Sequence, residues 1–199
     1  MAKFEDYSEV IFWDFKRMDN VNYNFNITER LINCALKSDD KNCFYKPIYL
    51  ILAAIIECTL YDFLKKINEH RYEQVPNLTP KEIQAIQSMT KVPNKLNCFN
   101  NICKKHQLLG VGDSIYDKIK TTSEIRNRIH IQNEKRSQPK DESDLWTDSN
   151  VISCGQLLKD IFTIMCNQYP RPGNFHKNPD LQNFPEPWKH LIPNKLVKL

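Results

Sequence analysis

The sequence predicts an all-α protein. Only four glycines occur in 199 residues, which leaves few of the tight turns that a strand-rich fold needs. Residues 45–68, YKPIYLILAAIIECTLYDFLKKIN, form one long apolar stretch rich in good helix formers. Helix-start signals recur along the chain, most plainly at Thr79–Pro80.

Each element follows in order. Residues 5–18, EDYSEVIFWDFKRM, carry apolar side chains near helical spacing. Residues 26–37 read as a second helix, with Asn26 or Thr28 as its cap and Ile32, Ala35 and Leu36 as its stripe. In 45–68, Pro47 fits the first turn and Lys65–Lys66 complement the C-terminal end of the helix dipole. That helix is apolar nearly all round, so it is expected at the centre of the bundle. Across 75–96, Thr79 is placed as N-cap and Pro80 as the first helical residue. Residues 96–109, LNCFNNICKKHQLL, make another amphipathic stretch. Gly110 and Gly112 mark a break, and Asp113 is placed to cap a helix from about Ser114 to Ile131. Residues 134–148 are polar, contain Pro139 and read as a loop. Residues 149–168 form the last helix, closed by YPRPG. From 169 onward there are six prolines and several aromatics without a period. That pattern predicts an extended tail draped over a surface or a partner.

Bulk properties narrow the function. The net charge of +4 permits a polyanionic partner without demanding one. The lone GVG at 110–112 is no phosphate-binding loop. The longest apolar run, IYLILAAII at 48–56, ends at Glu57 and is too short to span a bilayer, so no membrane is expected. MAKFEDYSEV lacks a cationic flank followed by an apolar core, so no secretory signal is read. Seven cysteines, an odd number, predict reduced thiols and a cytoplasmic location.

The stretch SEIRNRIHIQN at 123–133 carries the most chemistry. On a wheel at about 100° per residue, Ile115, Ile119, Thr122, Ile125 and Ile129 share one arc. Arg126 falls within that arc and His130 at its edge, while Glu124 and Arg128 point the other way. Asn127 lies beside the edge occupied by His130. A cation on an apolar face needs a partner. One reading is structural: Arg126 pairs with a buried carboxylate, Glu57 being the obvious candidate, and His130 complements the helix end. The other is a site.

EIRNRIHIQN follows a YDKIK turn and precedes a polar loop and a last helix ending in YPRP. In this it resembles the HEPN proteins, and IIECTLYDFL resembles the central helix of their bundle. The resemblance covers about residues 5–172. It implies a HEPN-like up-and-down helical bundle of five or six helices over residues 1–172, with an extended proline-rich C-terminal tail over 173–199. The family's arginine maps to Arg126, its polar residue to Asn127 and its histidine to His130. Three residues separate Arg126 from His130, fewer than the family's motif normally carries.

The resemblance implies metal-independent RNA cleavage in a prokaryotic toxin or defence system, with no cofactor. In such a reaction a 2′-hydroxyl attacks the adjacent phosphate. Histidine can move either proton near neutral pH, and arginine can grip the phosphate as charge develops. Asparagine can orient the histidine or bind a phosphate oxygen. One histidine per chain is few for two proton transfers, so a homodimer is expected, as is an antitoxin or defence partner protein. The alternative is a catalytically silent HEPN-like interaction module that binds a protein or nucleic acid.

Other features read more blandly. Cys98, Cys103 and His106 lack the spacing of a second ligand pair, so buried thiols are expected rather than zinc. Asp141, Glu142 and Asp144 read as a solvated loop. Lys104, Lys105, Arg128, Lys135 and Arg136 either guide RNA or are solvated charge. Trp146 and Trp188 are expected as packing anchors.

Overall fold

The computed structural model describes residues 3–69, 75–129, 141–171 and 179–191. Among these residues there are seven α-helices, four short 3-10 turns and no strand. The helices are α1 Phe4–Ile11, α2 Phe15–Lys37, α3 Asn42–Glu69, α4 Pro80–Gln87, α5 Leu96–Lys105, α6 Ser114–Arg126 and α7 Asp148–Gln168. The 3-10 turns are Asn127–Ile129, Glu142–Asp144, Leu181–Asn183 and Pro187–Leu191. The all-α expectation holds, with more helices than the five or six expected.

The first difference lies at the N-terminus. Residues 5–18 are not one helix, because the chain breaks at Phe12–Asp14. Asp14 caps α2 by accepting the Arg17 backbone N–H at 2.9 Å. The expected start at Asn26 or Thr28 lies deep inside α2. Thr28 is buried there and bonds back to the Asn24 carbonyl at 3.0 Å. The asparagine-rich run at 20–26 favours turns by propensity. It is helical because Val21, Phe25, Thr28, Ile32 and Ala35 form one buried stripe against α3.

α3 is the central helix, packed against α2, α4, α5, α6 and α7. It begins at Asn42 rather than near residue 45, so Pro47 lies inside it instead of in its first turn. The proline ring removes the bond that would reach the Cys43 carbonyl. By length and composition α3 could cross a membrane, yet 61% of that window is buried within the bundle. Tyr49 meets Trp146 with ring centroids 5.8 Å apart, and Phe63 meets Tyr169 at 4.7 Å. Like ends of α3 and α7 therefore lie together and the two helices run parallel.

α4 starts as expected. The Thr79 hydroxyl accepts the Glu82 N–H at 3.3 Å, and the Glu82 carboxylate accepts the Thr79 N–H at 2.7 Å. Gly110 and Gly112 both have positive φ, 103° and 106°, which any Cβ would disfavour. Asp113 precedes α6 without a side-chain cap bond. Its carboxylate pairs with Lys104 at 3.0 Å instead.

Residues 179–191 drape over the bundle, in two short 3-10 turns. Phe184, Trp188 and Leu191 are buried, Trp188 completely. Pro187–Leu191 packs against both α2 and α7. Gly155, midway along α7, makes room for this contact: a Cβ there would overlap the Trp188 indole. Trp146 is buried too, so both tryptophans are packing anchors, as expected. The proposed boundary at 172–173 falls outside the described residues.

Candidate functional site

Arg126 is the last residue of α6. Its Nη2 donates to Glu57 Oε2 at 2.5 Å. The pair is partly shielded, with 35% of the Arg126 side chain and 17% of the Glu57 side chain exposed. Glu57 uses its second oxygen as well, accepting the Leu96 backbone N–H at 3.0 Å. Leu96 opens α5, whose N-cap, Lys95, makes no side-chain cap bond. Glu57 therefore caps α5 from a different helix. One carboxylate ties α3, α5 and α6 together.

The helical wheel fails just beyond this point. After Arg126 the chain tightens into the 3-10 turn Asn127–Ile129. In such a turn each residue advances by about 120° and residues three apart eclipse. Arg128 consequently falls behind Ile125 and is buried, 6% exposed. Ile129 falls behind Arg126 and is 48% exposed. The wheel had assigned these two the opposite way. Ile119, Thr122 and Ile125 are buried as the arc requires.

Asn127 is half-buried at the start of the turn. His130 lies outside the described residues, as do Ile131, Lys135 and Arg136. The structure thus brings Arg126 to Glu57, sets Asn127 next to it along the chain, and leaves the Arg126–His130 geometry undescribed. Among the remaining basic residues singled out for RNA, Lys104 is paired with Asp113 and Arg128 is buried. Lys105 is exposed.

The cysteine set does not form a centre. Cys103 is fully buried, and burial pushes its thiol up to about 12, so it remains protonated and packs as an apolar group. Among the described residues no three His, Cys, Asp or Glu side chains come together as a metal site.

A second polar cluster escaped the reading of the sequence. Asp62 is 2% exposed in the C-terminal half of the apolar α3. Its Oδ1 accepts Arg17 Nε at 2.6 Å and its Oδ2 accepts the Trp13 backbone N–H at 3.2 Å. Arg17 also reaches Asp14 at 3.0 Å. Lys66, expected to complement the helix end, is 2% exposed, with its ammonium 4.1 Å from the Trp13 ring centroid. These residues border an open cavity of about 190 Å³. The signal was present as Asp62 and Lys66 at i, i+4 on an otherwise apolar face. Their partners come from the break between α1 and α2, which the periodicity did not reveal. The arrangement locks that break onto α3.

No family model, curated protein or solved structure matches the chain.

Proposed function

We propose that this chain is a HEPN-like helical ribonuclease of a prokaryotic toxin or defence system. Arg126, Asn127 and His130 form its site, a second copy completes it, and no metal takes part. The observation that supports this reading is the setting of Arg126. A single guanidinium nitrogen is anchored by Glu57, and a third of the side chain stays open at the end of α6. An arginine held that way keeps its remaining donors for a phosphate and loses little freedom on binding. In the reaction, the 2′-hydroxyl loses its proton to one histidine as its oxygen bonds to phosphorus. The phosphorus–5′-oxygen bond breaks, and the leaving oxygen takes a proton from the second histidine. Arg126 offsets the charge on the phosphate.

A specific observation favours a second reading, the silent interaction module. Glu57 joins Arg126 to the start of α5, which suits a purely structural cation. Burial of Arg128 and pairing of Lys104 also reduce the basic surface available to RNA.

Purified protein incubated with labelled RNA separates the two. On the ribonuclease reading, cleavage persists in excess chelator and is abolished by His130→Ala and by Arg126→Ala, with His130→Ala leaving the melt unchanged. Protein that never cleaves RNA, together with a loss of stability in Arg126→Ala well beyond that of one partly exposed ion pair, establishes the interaction module. Activity lost to chelator and restored by magnesium overturns the metal-free mechanism.

A further inference from the structure

Charge is shared unevenly along the chain. Residues 83–112 contain no aspartate or glutamate, yet they contain Lys91, Lys95, Lys104 and Lys105. The fold treats the two ends of α5 differently. At its C-terminal end, Lys104 pairs with Asp113 at 3.0 Å, and Asp117 adds to the acidic field there. At its N-terminal end, Lys91 and Lys95 are exposed. Neither makes an ion pair among the described residues. The carboxylate bonded to that end of α5 is Glu57, and both its oxygens are taken, by Arg126 and by the Leu96 N–H.

The segment that carries these two lysines is pinned to α3 at both ends. Asn68 Nδ2 donates to the carbonyls of Ile86 and Met89 at 2.8 and 3.1 Å. Glu57 accepts the Leu96 N–H at 3.0 Å. Val92, between these points in sequence, is buried. One carboxylate therefore fixes both the backbone beside Lys95 and the side chain of Arg126. Lys91 and Lys95 project from a held backbone, so on binding only their side chains lose freedom.

The surface around them indicates the partner. Asn94, Asn97 and Asn101 are exposed beside the lysines, and Asn97 and Asn101 lie one turn apart on the same face of α5. The exposed large apolar side chains are Phe15, Tyr23, Leu36, Val111 and Ile129, none of them within 88–101. A protein partner needs an apolar core to its interface, and a membrane surface needs an apolar face. A basic surface rich in amides and poor in apolar groups suits the phosphate backbone of a nucleic acid. We propose that residues 88–101 are the surface along which single-stranded RNA reaches Arg126, with Lys91 and Lys95 holding phosphates beside the one at Arg126. The choice of RNA rests on the ribonuclease reading; the placement of the charge does not.

The test uses the full chain and a fluorescent single-stranded RNA with methylated 2′-hydroxyls, which cannot be cut by 2′-hydroxyl attack. Anisotropy reads its binding. Lys91→Gln combined with Lys95→Gln is expected to weaken binding about tenfold at 0.1 M salt and to reduce the slope of log affinity against log salt by about 1.4, at about 0.7 per phosphate contact. Lys16→Gln combined with Lys37→Gln removes the same charge from exposed positions on α2 and is expected to change affinity less than about twofold. Equal losses in the two pairs overturn the proposal, as does no loss in the first. Polyglutamate that competes as well as unlabelled RNA of equal charge overturns it too. With cleavable RNA, the Lys91 and Lys95 pair is expected to raise KM at unchanged kcat. Binding that depends on these lysines without any cleavage upholds the surface and removes the ribonuclease. Cleavage with KM and binding untouched by their loss upholds the ribonuclease and removes the surface.

Discussion

Glu57 is the residue on which the candidate site turns. It serves two masters, the Arg126 guanidinium and the Leu96 amide. Arg126→Ala removes one partly solvated ion pair, which costs about 1 kcal/mol, and leaves Glu57 bonded to α5. Glu57→Ala removes the ion pair and the α5 cap together, adding about another 1 kcal/mol. Urea melts are therefore expected to rank Glu57→Ala as clearly more destabilising than Arg126→Ala. The reverse order would mean that the cap from Glu57 contributes nothing. Asp62 is a stricter case, since both its oxygens are engaged and it is 2% exposed. Asp62→Ala leaves Arg17 with Asp14 alone and takes away the acceptor of the Trp13 amide, with an expected loss of about 3 kcal/mol.

At the scale of elements, the end of α6 and the start of α4 each make a prediction. Because the chain turns 3-10 at Asn127, Arg128 is the packed residue and Ile129 the solvated one. Arg128→Ala is expected to cost about 3 kcal/mol, through lost packing and lost contacts of a buried cation. Ile129→Ala is expected to fall within about 0.5 kcal/mol of the wild type. A continuous α-helix through residue 129 would give the opposite ranking in denaturant melts. At α4, hydrogen bonds from the Thr79 hydroxyl and backbone hold the Glu82 carboxyl below its usual 4.5. Glu186 is also lowered: burial raises it, but the hydrogen bonds from Lys159 and Lys189 outweigh that. Carboxyls depressed in the folded state contribute stability that is complete above the unfolded value and lost as pH falls through the folded one. Glu29 has the opposite sign, because burial and then Glu5 raise its pKa, so it offsets part of the loss. Thermal melts are expected to decline as pH drops below 4.5, and Glu82→Gln is expected to flatten that decline.

For the whole molecule, the decisive contact spans the chain. Gly155 on α7 and Trp188 near the C-terminus meet face to ring. On helix propensity alone Gly155→Ala stabilises by about 1 kcal/mol. Here the added methyl displaces an indole that is 0% exposed, so a net loss of stability is expected, together with a red shift in tryptophan emission. A raised melting temperature would show that the C-terminal segment contributes little to the fold.

The helical class, the Thr79–Pro80 start of α4, the central place of α3, the two tryptophan anchors and the pairing of Arg126 with Glu57 were legible in the sequence. Each rests on local signals or on one strong rule: caps and prolines act within a turn, apolar periodicity selects the buried face, and a cation on that face requires a carboxylate. Other features were decided only in three dimensions. Asparagines 20–26 are helical because their apolar neighbours gain α3 as a partner, and burial outweighs a weak propensity. The α1–α2 break depends on Asp62 and Lys66, a helix away. The change of register at Asn127 belongs to backbone geometry that a wheel of fixed pitch does not contain. Residues 179–191 have no period of their own; the groove that orders them is assembled from α1, α2 and α7. Apolar surface gives no direction, so where the tail packs was settled by the shape that Gly155 leaves open.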